Sequence, residues 1–150
     1  NKILQQLKKR NWRRMMTAQV VDIDCKSGTF VIASAGHCYP YIVGKNGSSA
    51  VALQINGMPL GSASNKPHAE ISGEIDQDET LVFYTDGIIE AVDAKGEMFG
   101  YQRFEGLLQT AWSENLEDYW KNIMAGYNAW AVSQDDDLTF LMVRRSGGRR

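Results

Sequence analysis

Apolar and polar positions change period three times along the chain, and each change marks a change of element. Ile3, Leu4 and Leu7 form a short helical stripe that continues toward Trp12. From Met15 the helical period stops. Thr17, Gln19, Val20, Val21 and Ile23 predict a strand, Lys26-Ser27-Gly28 a turn, and Thr29–Ala33 a second strand, together a hairpin. Tyr39–Val43 and Ala50–Ile55 predict a third and a fourth strand around Gly44-Lys45-Asn46-Gly47. Asn-Gly there favours a tight turn because both residues tolerate positive φ. The composition of 61–67 is that of a loop, and Ala69–Ile75 predicts another strand. Thr80–Tyr84 (T-L-V-F-Y) is a short run of apolar strand formers, the pattern of a strand buried on both faces.

The second change comes after that strand. Phe104, Leu107, Leu108 and Ala111 repeat at i, i+3, i+4 and i+7. Leu116, Tyr119, Trp120, Ile123, Met124, Tyr127 and Trp130 continue with the same period, and Asn115 or Ser113 is placed to cap that helix. The helical period accounts for all of these aromatics as core. Leu138–Val143 closes the pattern as a strand. Strands, then helices, then a final strand predict an α+β fold with largely antiparallel sheets.

Composition adds an ordinary globular balance: 150 residues, 43% hydrophobic and 23% charged. No apolar run reaches the ~20 residues of a membrane span, and the first residues lack the pattern of a secretory signal. The chain has no initiator Met and starts on a helical stripe, so it is expected to begin inside a longer protein. Charge is segregated. Ten of the 16 basic residues lie at the two ends, whereas all 18 acidic residues lie between Asp22 and Asp137. An acidic middle suits either a solvated surface or carboxylates gathered around a divalent cation. The basic ends carry no nucleic-acid-binding motif, so no nucleic-acid partner is expected. Cys25 and Cys38 form no C-x-x-C pair and predict two reduced, partly buried thiols in a cytoplasmic protein.

Three stretches carry candidate chemistry. In Tyr84-Thr85-Asp86-Gly87 a buried strand ends on a carboxylate; the sheet fixes the Asp, and the glycine lets the backbone turn and approach an ion. Asp-Gly after a strand is also an ordinary turn. Asp135-Asp136-Asp137 places three mutually repelling carboxylates before the last strand, a repulsion that either water or a cation relieves. If the two strands are neighbours, Asp86 and one of the triplet can share an ion. In Ser34-Ala35-Gly36-His37, His37 is a candidate ligand or general acid. With His68 as the one other histidine, a hydrogen bond to backbone at a strand end is the plainer role, and a histidine-based zinc site is not expected.

The order of these motifs resembles a known family. Ser34-Ala35-Gly36-His37 with Pro40, Gly57-Met58-Pro59-Leu60-Gly61, Leu81–Ala91 around Thr85-Asp86-Gly87, Glu97-Met98-Phe99-Gly100 with Arg103, and Asp136-Asp137-Leu138-Thr139 follow one another in the order and spacing of SpoIIE-like (protein phosphatase 2C-type) serine/threonine phosphatases. The resemblance runs from about Met15 to Arg144. It implies part of an α-β-β-α sandwich with two or more Mn²⁺ or Mg²⁺ ions, and hydrolysis of phosphoserine or phosphothreonine by metal-activated water, with no side-chain nucleophile. Carried over by position, Asp86 and Asp136 are the metal ligands, Asp137 supports the loop, and Glu90 shapes the turn after Asp86.

The resemblance further implies a phosphorylated protein substrate such as an anti-sigma-factor antagonist, and a sensor or regulatory domain N-terminal to this chain. The family's first half, with its own Asp-Gly metal motif, is not found in the sequence. Residues 1–14 are therefore expected to end a helix of the preceding half, 15–144 to form the C-terminal part of the domain, and 145–150 to be a disordered basic tail. An enzyme piece, a piece that pairs as a homodimer, and a non-catalytic interaction module with the same fold all fit this arrangement.

Overall fold

The computed structural model describes residues 15–62, 68–133 and 136–146. The expected N-terminal helix, most of the 61–67 loop, Asp135 and the last four residues lie outside them. The fold is α+β with antiparallel sheets, as the pattern predicts. By contact density the chain divides into two units, Asn1–Tyr39 with Gln54–Glu74 and Pro40–Leu53 with Ile75–Arg150.

The first unit holds a three-stranded sheet of β1 (Ala18–Ile23), β2 (Thr29–Ala35) and β5 (Ala69–Glu74), with β2 central. β1 and β2 pair from Ala18↔Ala35 to Ile23↔Phe30. Their turn is built by Asp24, whose Oδ1 accepts from the backbone N–H groups of Lys26 (2.7 Å) and Ser27 (3.2 Å). Those donors, Lys26 foremost, hold the Asp24 carboxyl below the usual carboxylate range. β2 alternates as a half-buried strand should, with Phe30, Ile32 and Ser34 buried and Thr29 and Val31 exposed. It runs two residues past its predicted end, because Ser34 and Ala35 still pair with Gln19 and Ala18. Beyond it, His37 departs from expectation: Nδ1 lies 3.1 Å from the Thr17 hydroxyl, so the partner is a side chain and not the backbone. Cys25 is exposed and Cys38 half-buried, and neither is in a disulfide; Cys25 sits in the β1–β2 turn.

The second unit holds a four-stranded sheet in the order β4-β3-β6-β7, from β3 (Tyr41–Val43), β4 (Ala50–Ala52), β6 (Thr80–Tyr84) and β7 (Phe140–Arg144). β3 and β4 are shorter than predicted. The chain between them is the expected tight turn, with Asn46 at φ 58° and Gly47 at φ 68°. All five residues of β6 are buried. Its antiparallel pairing with β7 runs from Thr80↔Arg144 to Tyr84↔Phe140.

Among the described residues between β6 and β7 lie three helices: α1 (Gly87–Glu90), α2 (Gly100–Thr110) and α3 (Leu116–Trp130). The periodicity predicts α2 and α3; α1 is a single turn, too short to show a period. Asn115 caps α3, its side chain accepting from the N–H groups of Glu117 (2.8 Å) and Asp118 (3.1 Å). The two acidic residues there also oppose the positive end of the helix dipole. Phe104 of α2 sits within 4.6–5.7 Å, ring to ring, of Tyr41, Tyr84 and Phe140, and so joins helix to sheet.

The end of β7 is anchored by charge. Arg144 donates from Nε to the Thr80 hydroxyl (2.7 Å) and from Nη1 to the carbonyls of Ser113 (2.6 Å) and Glu114 (2.7 Å). Its guanidinium lies over the Trp112 and Tyr119 rings. Burial is the main influence on both partners of this contact, lowering the Arg144 pKa and raising that of Tyr119. Arg145, where the expected tail starts, still donates from Nη1 to the Ile75 carbonyl (3.0 Å), and its own carbonyl accepts from Asp78 N–H (2.8 Å).

Candidate metal centre

The β6–β7 ladder decides where the carboxylates fall. Because Tyr84 pairs with Phe140, the segments that leave the ladder at that end are Thr85-Asp86-Gly87 and Asp136–Thr139. Thr85 N–H donates to the Thr139 carbonyl (3.1 Å) and extends the pairing by one residue. The Thr85 hydroxyl donates to the Asp137 carbonyl (2.9 Å) and accepts from Thr139 N–H (2.9 Å). The next residue pair is then pressed close. A Cβ on Gly87 would lie 2.7 Å from the Asp137 carbonyl oxygen and 3.1 Å from that of Asp136. Glycine is required here for the backbones to approach, whatever its φ.

After Asp86 the chain turns immediately into α1, with the N–H groups of Ile89 (2.9 Å) and Glu90 (3.0 Å) donating to the Asp86 carbonyl. Buried Ile88 and Ile89 hold that turn down, and the i, i+4 relation puts Glu90 on the same face as Asp86. Asp86, Glu90 and Asp136 each bring a carboxylate oxygen within 4.8 Å of the others, and all three side chains are exposed. One Asp136 oxygen accepts from Asp137 N–H (2.8 Å), which limits the side chain's freedom.

The structure therefore brings together the two residues that the motifs single out, 50 positions apart in sequence, and adds a third. Glu90, expected only to shape the turn, contributes a carboxylate to the cluster. The i, i+4 spacing in Asp86-Gly-Ile-Ile-Glu90, with two apolar residues between, was the available signal. His37 belongs to the other unit.

The donor chemistry suits a hard divalent cation, which takes carboxylate and carbonyl oxygens. Three like charges at this spacing repel by roughly 1 kcal/mol per pair even at the dielectric constant of water, and a cation reverses the sign of that interaction. The backbone also fits. The Gly87 contact holds two carbonyl-bearing residues against the strand end without a side chain between them.

The family model for Stage II sporulation protein E (SpoIIE) matches residues 1–146. The chain belongs to the SpoIIE family. It is 31% identical over 126 residues to Protein IcfG of Synechocystis sp., covering 83% of this chain and 20% of that protein. Among solved structures it is similar to the RsbU and RsbW domains of Rv1364c from Mycobacterium tuberculosis, with a TM-score of 0.75 and 21% identity over 96% of this chain and 40% of that one. It is also similar to the SiaA-PP2C domain of Pseudomonas aeruginosa, with a TM-score of 0.73 and 22% identity over 85% of this chain and 51% of that one. The manganese-presoaked phosphatase domain of Bacillus subtilis SpoIIE follows with a TM-score of 0.63 and 14% identity, over 89% of this chain and 58% of that one. At these identities the structural likeness shows the fold, that of bacterial signalling phosphatase domains. The chain spans a fifth of its curated relative and about half or less of the first two structures.

Proposed function

We propose that this SpoIIE-family chain forms part of a metal-dependent phosphoprotein phosphatase acting on phosphoserine or phosphothreonine. The observation that carries the reading is the convergence of Asp86, Glu90 and Asp136 within 4.8 Å at the open end of the β6–β7 ladder. Asp86 and Asp136 would hold the cation, Mn²⁺ or Mg²⁺, with Glu90 as a third carboxylate beside it. When bound, such an ion would supply a Lewis acid for the phosphate and would lower the pKa of a coordinated water.

The chain's own part is to orient. Asp86 is fixed by the buried strand β6, Asp136 by its hydrogen bond to Asp137 N–H, and Glu90 by the turn of α1. No side chain is assigned as nucleophile. Since the chain spans about half of the similar domains, the complete site would draw further ligands from residues outside it, either upstream or in a second copy. We assign residues 15–144 to the C-terminal part of the domain. The substrate would be a phosphorylated protein such as an anti-sigma-factor antagonist, in the cytoplasm, under control of an N-terminal sensor or regulatory domain. Among the described residues no helix is long and apolar enough to cross a membrane.

The test is Mn²⁺-dependent hydrolysis of p-nitrophenyl phosphate by the complete domain that contains this chain, beside its Asp86→Asn and Asp136→Asn variants. Hydrolysis that requires Mn²⁺ and falls by at least ~100-fold in both variants is expected, a loss of about 2.7 kcal/mol in transition-state stabilisation. Hydrolysis that survives both substitutions would refute the ligand assignment.

A further inference from the structure

Asp86 and Asp136 sit on different segments, so their separation depends on what ties those segments together. Thr85 makes that tie. It lies between the buried end of β6 and Asp86, and its N–H and hydroxyl both reach the segment that carries Asp136. Its N–H donates to the Thr139 carbonyl (3.1 Å), its hydroxyl donates to the Asp137 carbonyl (2.9 Å), and the hydroxyl oxygen accepts from Thr139 N–H (2.9 Å). The carbonyl that accepts from the Thr85 hydroxyl belongs to the residue whose N–H in turn restrains the Asp136 carboxylate (2.8 Å). The same carbonyl oxygen rests where a Gly87 Cβ would stand, 2.7 Å away. A short relay thus runs from Thr85 through Asp137 to Asp136, one residue away from Asp86.

We infer that Thr85 is a positioning residue for the cation site, setting the spacing of the Asp86 and Asp136 carboxylates through its hydroxyl; this rests on the metal-binding reading proposed above. The hydroxyl is engaged by Asp137 and Thr139 on both its donor and its acceptor side. Its effect is geometric, because a carboxylate pair preorganised at the spacing of an ion binds more tightly than one that must be drawn together. The backbone bond from Thr85 N–H is independent of the side chain. Thr85→Val therefore keeps the ladder and the branched shape and removes only the two hydroxyl bonds. Thr85→Ser keeps both bonds and removes a methyl group. The partners left behind by valine lie in an exposed segment where water can reach them, so the loss falls on the position of the loop more than on the fold.

The experiment is calorimetric titration of Mn²⁺ into the metal-stripped chain, for the native protein, Thr85→Val, Thr85→Ser, Asp86→Asn and Asp136→Asn, with thermal unfolding of each metal-free form. The expected result is saturable binding by the native chain, loss of binding in both Asn variants, a Kd about 10–100-fold weaker in Thr85→Val and within about threefold of native in Thr85→Ser, as for residues that orient metal ligands. The metal-free melting temperatures of the two Thr85 variants should match. Native affinity in Thr85→Val, with binding still lost in Asp86→Asn, overturns the role of Thr85 and leaves the metal reading standing. Equal weakening in the valine and serine variants, or weakening that follows a lowered metal-free melting temperature, reduces Thr85 to a structural residue. Binding that persists in both Asn variants, or no binding by the native chain, overturns the metal reading and this inference together.

Discussion

Replacing Gly87 by alanine adds a single carbon, and the structure gives opposing reasons for its effect. Gly87 opens α1, where alanine is the better helix former by roughly 1 kcal/mol. The new Cβ, however, would stand 2.7 Å from the Asp137 carbonyl oxygen, 3.1 Å from that of Asp136 and 3.2 Å from the Asp137 carbonyl carbon. These are backbone atoms and cannot swing aside as a side chain would. The 136–137 segment must retreat by several tenths of an ångström, against the Thr85 hydrogen bonds that hold it. Overpacking of this kind costs about 1–3 kcal/mol, so the expected net change is a destabilisation of about 0–2 kcal/mol, read as a shift in urea midpoint at unchanged m-value. The larger effect falls on the site, because the segment that retreats carries Asp136. Mn²⁺ affinity is expected to drop by at least ~10-fold, as when supports of metal ligands are disturbed. Isothermal titration alongside the urea series separates the two effects. A Gly87→Ala protein that is more stable than native and binds Mn²⁺ as tightly would refute the reasoning, since it would mean that helix propensity governs the position and the close approach is not needed.

Two further expectations concern the fold. Arg144→Met keeps length and apolar cover but strips donors from the Thr80 hydroxyl and the Ser113 and Glu114 carbonyls, so it should cost about 2–4 kcal/mol in urea unfolding; a cost below about 0.5 kcal/mol would show that these bonds merely replace water. Asp24 has its pKa lowered by backbone donors, so its charged form supports the β1–β2 turn above the ordinary carboxylate pKa of about 3.9, and that support is lost as pH falls through the lower folded value. Asp24→Asn should therefore flatten the fall of stability below about pH 4, measured as urea midpoint against pH; an unchanged acid limb would remove the turn from the account.

Local determinants were legible in the sequence where they act within a few residues. Asn46-Gly47 specifies its turn because few other residue pairs accept φ values of 58° and 68°. Asn115 caps α3 through N–H groups two and three residues on, and the aromatic stripe of α3 follows the helical period. The unbroken apolar run 80–84 marks a wholly buried strand, and the motif order identifies Asp86 and Asp136. β3 and β4 are shorter than the pattern predicts because apolar residues continue past the last ladder pair, and strand length is set by the neighbouring strand.

The centre itself was decided at tertiary level. Whether Asp86 meets Asp136 depends on the register of β6 against β7, and a slip of one residue would turn every side chain of the strand to the opposite face. Glu90 joins them through a single turn of helix that has no periodicity to detect, held by burial of Ile88 and Ile89. Thr85 and Gly87 look locally like strand-end and turn residues; their partners are more than 50 and about 50 residues away. Sequence by itself determined most of the elements, which follow from backbone preference and period, and the resemblance of its motifs singled out Asp86 and Asp136 as candidates. Only the folded chain decided their distances, because a distance between remote segments is fixed by pairing and packing that no local stretch of residues contains.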